Sequence, residues 1–591
     1  MSRMATEEKQ ITKGAAFLIE DADPSQVFTP EDFTKEHLMI AETTRAFVEG
    51  EVIPHQEELE HQDWELTVKL LRKAGELGLL AADVPEEYDG LGADKVTSAL
   101  ITEYITRGGS FALSHGAHVG IGSLPIVFFG NEAQKKKYLP KLASGEWIAA
   151  YALTEPGSGS DALGAKTTAK LSDDGKYYIL NGAKQFITNA GFADVFVVYA
   201  KIDGEKFSAF IVERNFEGVS TGPEEKKMGI KASSTRPLIL EDVKVPVENL
   251  LGEPGRGHVI AFNILNIGRY KLAVGSVGGM KTALEMAVKY ANTRKQFKTA
   301  ISNFPLIQQK LADMNIRTYV SESMAYRATG DIDKRLEAVE DSTDGKAVAK
   351  AIEEYALECS VEKVFASEAL DFVVDENVQI HGGYGFIQEY GAERAYRDSR
   401  INRIFEGTNE INRLIIPDTL MKRAMKGELA LLPAVQGLDL SGSFEEPASD
   451  EPLAHETHLL SLAKKVFLFS AGNAVQKYMQ SLKDEQEILA NIANIVIEIY
   501  AIESALLRTK KALAKGANAD NKVDMTQVFT QEAFDRIRSN ARSIFAAMEE
   551  GEKLQKRLAL LDKITHYTPV NSKEIKRRIA KRVIEAEKYQ A

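Results

Sequence analysis

The stretch VFVVYAKIDGEKFSAFIVE (195–213) decides the fold. Two runs rich in β-branched and aromatic residues flank Asp203-Gly204, and Asp-Gly between apolar runs is hairpin chemistry. Working outward, YYIL (177–180) and LILEDVKV (238–245) repeat the pattern, separated by SDDG, the Asn181-Gly182 pair and VPVEN. Residues 151–255 therefore read as a compact β domain. On both sides the period changes: DFTKEHLMIAETTRAFVEGEV (32–52) and WELTVKLLRKAGELGLLA (64–81) repeat apolar residues every three or four positions, as helices do. Past residue 255 the helical period returns in residues 272–297, 306–328 and 351–383, long enough and closely enough joined for an antiparallel bundle. The predicted order is an N-terminal extension (1–29), a helical domain (30–150), the β domain (151–255), a helical bundle (256–425), a linker (426–456) and a C-terminal helical domain (457–591). The linker rests on Pro433, Gly437, Gly442, Pro447 and Pro452. In the last domain Leu489, Ile492, Val496, Ile499 and Ile502 share one stripe. The fold class is mainly α with a central β domain.

Bulk properties exclude several functions. A net charge of −13 argues against nucleic acid as partner, because a polyanion binder needs a concentrated basic surface. Cys359 is the only cysteine, so an intramolecular disulfide and a four-cysteine zinc site are excluded. The start, MSRMATEEKQITKG, has no continuous apolar core of a secretory signal. The most apolar stretch, ILANIANIVIEIYAIESALL (488–507), is broken by Glu498 and Glu503, which fits a packed helix better than a membrane span. The expectation is a soluble, cytoplasmic protein.

Three segments carry chemistry. YALTEPGSGSDALGAKTTA (151–169) is a near miss for a phosphate loop: Ala165 stands where a lysine must follow the second glycine, and no G-x-G-x-x-G lies between a strand and a helix. It leaves a cluster of glycines with Thr154, Ser158 and Ser160 that can bring amides near an anionic or heteroaromatic ligand, or can simply cross between domains. QIHGGYGF (379–386) offers close backbone approach at Gly382 and Gly383 and a donor-acceptor side chain at Gln379. His381 reads as a structural histidine, since no second ligand stands at a useful helical spacing, and no metal site is expected. In IFEGTNEI (404–411) a carboxylate, Glu406, sits between Phe405 and Gly407, after arginines at 394, 397, 400 and 403 whose helical spacing reads as a solvated or ion-paired face.

Together YALTEPGSGSD and QIHGGYGF through IFEGTNEINRLII resemble the two signature regions of acyl-CoA dehydrogenases. The resemblance runs from about residue 30 to 425, through NGAKQFITNAG, KMGIKASSTRPLILEDVKVP, LNIGRYKLA and TRKQF in the family's order. It implies a helical domain, a β domain and a four-helix bundle holding FAD, and an α,β-dehydrogenation of a fatty acyl thioester. By the same resemblance Glu406 is the base that takes the α-proton. Desolvation beside Phe405 and Ile404 would strengthen it as a base, and Gly407 would clear space for the thioester. Relatives with their base elsewhere carry it just before the arginine of LNIGR; here that position is Gly268. Asn266 and Arg269 resemble substrate-contacting positions, and Ser160 the residue that meets the CoA portion. For FAD the resemblance assigns Tyr151, Leu153, Thr154 and Ser160, with Phe186, Ile187 and Thr188, to the isoalloxazine side. Arg294, Gln296 and Phe297, with Gln379, Gly382 and Gly383, reach the adenosine diphosphate of a neighbouring subunit, and Thr408 and Glu410 complete the contacts. Lys298 and Pro305 replace a usual glycine and a common glutamine. A cofactor shared in this way implies at least a dimer.

Residues 440–591 resemble the added domain of the very-long-chain type, whose members are dimers at membrane surfaces. Gly116, Ala117 and Gly120 occupy the segment that bounds the acyl pocket in relatives, which implies a deep cavity for long chains or plain helix packing. In KEIKRRIAKRVIEAEK (573–588) the stripe of Ile575, Ile579 and Val583 amid basic residues fits either an anionic membrane or a helix docked on its own domain. The expected function is long-chain acyl-CoA dehydrogenation in β-oxidation, with electrons passed to an electron-transfer flavoprotein. An oxygen-using acyl-CoA oxidase and a non-catalytic helical binding protein are the alternatives.

Overall fold

A computed structural model describes residues 11–591 except 343 and 447. The reading of the first ten residues, and of Pro447 in the linker, falls outside them. The longer helices are α1 (Lys35–Phe47), α2 (Trp64–Glu76), α3 (Lys95–Ile105) and α4 (Glu132–Ser144) before the sheet. After it come α5 (Gly257–Thr293), α6 (Pro305–Glu337), α7 (Gly345–Glu353), α8 (Ala356–His381), α9 (Ala392–Ser399) and α10 (Asn409–Met425). The last group is α11 (Ala454–Tyr478), α12 (Gln486–Ala514), α13 (Asp520–Met548), α14 (Gly551–Ile564) and α15 (Ser572–Ala586).

The strands of the β domain are β1 (Ala149–Ala152), β2 (Thr168–Leu171), β3 (Tyr177–Thr188), β4 (Val195–Ile202), β5 (Lys206–Glu213), β6 (Val219–Thr221), β7 (Thr235–Pro246) and β8 (Leu250–Leu251). They form one mixed sheet in the order β6-β7-β3-β2-β4-β5-β8, with β1 parallel to β4. The hairpin of 195–213 forms with Val195 opposite Glu213 and Ile202 opposite Lys206. Its turn residues Asp203 and Gly204 both take left-handed φ, 53° and 78°. The unbroken apolar run of β4 has a physical cause: successive side chains enter different cores. Val195, Val197 and Tyr199 face the helices, while Phe196, Val198 and Ala200 face the inside of the β domain.

In the bundle α5 packs along α8, and α10 lies against α8 and α12. The expected linker is more ordered than its prolines and glycines predict. Leu431–Gln436 is helical with Pro433 in its first turn, where a missing N–H costs nothing, and Phe444 is buried. Among the described residues two helical stretches, Phe111–Phe129 and Gln486–Ala514, are long and apolar enough to cross a membrane, and both are mostly buried. Of the two readings of the last helix, the docked one describes its apolar stripe. The stripe Ile575, Ile579 and Val583 is buried against α6 and α13, and Lys576 pairs with Asp313 and Glu532 at 2.7 Å each. Residues 11–33, of which 11–29 were predicted only as an extension and 30–33 as the start of the helical domain, form a strap of short turns between the bundle and the C-terminal helices. Phe17 meets the Tyr500 ring at 4.9 Å, the amide of Ala15 donates to Glu358 Oε1 at 2.5 Å, and Glu31 pairs with Arg508 at 2.8 Å.

Candidate active site

Phe405, Glu406 and Gly407 form the turn that leads into α10, whose N-cap Thr408 accepts the amide of Ile411 at 3.1 Å. Glu406 and Gly407 both take left-handed φ, 58° and 77°. For a glutamate that conformation is strained and persists only where the surroundings hold it. Three side chains do so. Arg269 Nε donates to the Glu406 carbonyl at 3.2 Å. Lys363 Nζ donates to the Gly407 carbonyl at 2.8 Å and to Asn409 Oδ1 at 2.7 Å. Asn412 Nδ2 donates to the carbonyls of Gly407 and Thr408 at 2.9 and 3.0 Å.

With its carbonyls tied into the bundle, the turn sends the Glu406 carboxylate into a cavity of about 470 Å³. Oε2 is sealed from solvent and has no hydrogen-bond partner. Burial pushes the carboxyl up to about 7, while the charges of Arg269 and Lys363 pull the other way. Burial also brings the Lys363 ammonium down to about 7, and Glu406 opposes that shift. Gly268 faces the carboxylate: a Cβ there would stand 2.5 Å from Oε2. The glycine therefore supplies the volume the carboxylate occupies. Along the cavity α5 presents Lys271, Leu272, Gly275, Ser276, Gly279, Ala283 and Met286, and Gly116, Ala117, Gly120, Thr188 and Phe405 complete much of the wall.

The other predicted site residues divide. Asn266 and Arg269 do not line the cavity. Both are buried, and Arg269 Nη1 donates to Asn266 Oδ1 at 2.9 Å. Through Arg269, which Asn266 holds, the pair supports the Glu406 turn. Ser160 is exposed and outside the cavity. The side chains of Tyr151 and Leu153 point into the core, with the Tyr151 phenol in the field of Glu406. Thr154 receives the Gln185 amide at 2.8 Å on its carbonyl, Ile187 is buried, and Phe186 is 62% exposed with φ 58°. A second groove of about 490 Å³ brings together Tyr290, Arg294, Gln296, Gly382, Gly383 and Tyr384. Arg294 lies over the Tyr384 ring at 5.3 Å, and a Cβ at Gly382 or Gly383 would meet open space. Gln379, Phe297 and Glu410 lie exposed outside both, Phe297 at 90% with φ 51°. The sequence reading missed Lys363 and Asn412. A lysine inside the apolar run SVEKVFASEAL (360–370) was the available signal, because a buried helix seldom carries one without a partner.

The geometry has close counterparts. Acyl-CoA dehydrogenase profiles match residues 34–146 (N-terminal domain), 150–243 (middle domain), 255–421 (C-terminal domain) and 462–563 (a further C-terminal domain). A probable acyl-CoA dehydrogenase of Bacillus subtilis is 60% identical over 592 residues, covering 99% of this chain and 100% of that one. The very long-chain specific acyl-CoA dehydrogenase, mitochondrial, of Bos taurus is 38% identical, covering 88% of this chain and 81% of that one. The crystal structure of acyl-CoA dehydrogenase complexed with FAD from Bacillus anthracis matches with a TM-score of 0.97 and 60% identity, covering 98% and 100% of the two chains. With all four family segments matched in order and 60% identity to such a relative over nearly the whole chain, the chain belongs to the acyl-CoA dehydrogenase family.

Proposed function

We propose that the protein is an FAD-dependent dehydrogenase of long-chain acyl-CoA in β-oxidation, with Glu406 as its base and an electron-transfer flavoprotein as acceptor. The observation that carries this reading is the Glu406 carboxylate in the cavity, its Oε2 sealed, unpaired and set against Gly268. A carboxylate raised to about 7 is matched to taking a weakly acidic α-proton near neutrality. An amide of the same turn donates to the thioester carbonyl, stabilising the charge that develops as the proton leaves. Arg269 and Lys363 hold the turn, so the carboxylate meets the substrate without reorganising.

The residues fit the cofactor. The exposed ring of Phe186 beside Thr188 offers a flat apolar face, and the groove of Arg294, Gln296, Gly382 and Gly383 combines a cation with clear backbone approach. Bound there, FAD supplies the acceptor for the β-hydride. Gly268 and Thr293 are 25 positions apart on α5, about 38 Å along the helix axis. That separation supports a groove that serves the cofactor of a second copy of the chain, and the reading includes a homodimer. Chain length is argued from the same helix. Its cavity-lining positions run from Gly268 to Met286, about 27 Å, whereas a hexadecanoyl chain at roughly 1.25 Å per carbon needs about 19 Å. The protein is read as cytoplasmic.

Anaerobic bleaching of the flavin with acyl-CoAs of increasing length tests the reading. Bleaching by hexadecanoyl-CoA that is lost in Glu406→Gln, with slow recovery in air and fast recovery on an electron-transfer flavoprotein, is expected. Normal bleaching by the variant sinks the base assignment, and rapid recovery in air points to an oxidase.

A further inference from the structure

The cavity that begins at Glu406 ends far from it, and its far end holds a cation that nothing in the fold pairs. Much of the polarity along the way is already committed. Thr102, Thr106, Ser276 and Thr282 each donate to a carbonyl three or four residues earlier in their own helix, at 2.5 to 2.9 Å, and so offer a passing chain no free proton. Three cations stand in the lining, and two have partners: Lys271 donates to Asp83 at 2.8 Å and Arg107 reaches Glu285 at 3.3 Å. The third, Arg394, makes no hydrogen bond or ion pair among the described residues. The acids around it are engaged elsewhere or face water. Asp398, one turn along α9, lies in its field but accepts the Ile230 amide at 2.5 Å, and Glu393 pairs with Arg397 at 2.5 Å. Glu389 is exposed on the short turn Gln388–Tyr390.

The guanidinium sits at the wall itself. A Cβ at Gly391 would lie 3.5 Å from Arg394 Nη2 and 3.7 Å from Met286 Cε, and all three residues line the cavity. Their meeting point is therefore fixed by Met286. From Gly268 to Met286 is 18 positions of α5, about 27 Å, and a long helical side chain covers the turn before its own Cα, which puts the guanidinium about 22 Å from the level of Gly268. At roughly 1.25 Å per carbon that is about 17 carbons. Tyr390 beside it is 42% exposed, so this end lies close to the protein surface. A guanidinium carries five N–H donors in a planar fork that matches a carboxylate. A methyl end arriving there strips water from those donors and returns nothing, whereas a carboxylate pairs with them.

We propose that Arg394 anchors a carboxylate at the far end of the acyl chain, so that the protein takes ω-carboxyacyl-CoA, the mono-CoA thioester of a long dicarboxylic acid. The inference rests on the acyl-CoA reading above. The distal carboxylate stays out of the reaction and sets how far the chain enters; in a chain too short to reach Arg394 it is stranded along the wall, a charge without a partner. The test is anaerobic bleaching of the FAD-loaded protein by saturated acyl-CoAs and by ω-carboxyacyl-CoAs of equal length, from about 10 to about 22 carbons. The ratio of kcat/KM, ω-carboxy over plain, is expected to lie well below one for the shorter chains and to climb to roughly fivefold near 18 carbons, the factor of an ion pair close to a surface. Arg394→Gln is expected to keep the ratio below one at every length, and Glu389→Gln, which removes an opposing charge at the same end, to raise it. The length series in the unmodified protein stands even if a variant misfolds. A ratio that stays below one throughout in the parent, or that climbs equally in Arg394→Gln, overturns the anchor alone; no bleaching by any acyl-CoA overturns the acyl-CoA reading with it.

Discussion

Glu406 is caught between burial, which favours its protonated form, and two cations, which favour its charge. The balance yields a sign that can be measured. Its carboxyl titrates near 7 in the folded protein against 4.5 for an ordinary glutamate. Below about pH 4.5 both states hold the proton and burial costs nothing; between about 4.5 and 7 the unfolded chain ionises while the folded one keeps its proton, and stability falls until the folded carboxyl ionises too. Glu406→Gln is therefore expected to be more stable than the parent by up to about 3 kcal/mol above pH 7, an advantage that fades towards pH 4.5 in urea melts. In the parent protein, kcat/KM is expected to rise with pH through about 7. Gly268→Ala tests the opposite side of the contact. Its Cβ would displace Oε2, and a misplacement of about 1 Å costs roughly a hundredfold in rate, read as slower flavin bleaching with unchanged fold.

At the scale of elements, much was legible in the sequence. The hairpin of 195–213 was readable because Asp-Gly and β-branched runs act locally, and the bundle because three long segments keep helical period. What was illegible depends on partners remote in sequence. Lys363 and Asn412 reach the Glu406 turn only after α8 and α10 pack, and nothing local marks Arg269 as a donor to that turn. The left-handed φ of Phe186, Phe297 and Glu406 was hidden too, since no propensity favours it in such residues. Composition also misled in the linker, where prolines and glycines hide a short packed helix. For α15 both readings were open until its stripe was placed. Ile579 is fully buried, so Ile579→Asp is expected to destabilise the protein by about 3 kcal/mol or more and to free the last helix for proteolysis; unchanged melting would mean the helix is not docked.

Across the whole molecule the C-terminal helices are tied to the rest by buried ion pairs. Arg508 joins Glu322 of α6 at 2.7 Å and Glu31 of the strap at 2.8 Å, and Lys281 joins Glu322 and Glu103. Arg508→Met leaves buried carboxylates short of a partner and is expected to cost about 3–5 kcal/mol, with the strap becoming the first segment cut by protease. The strap also imposes an order of events on biosynthesis. Glu31 leaves the ribosome 477 residues before the arginine it pairs with, and Phe17 is made long before Tyr500. At about 5–20 residues per second, the nascent chain carries an apolar segment without its docking surface for roughly 24 to 95 seconds. The strap, though made early, is thus among the last parts to settle, and shielding residues 11–33 during that interval is expected to raise the yield of folded protein.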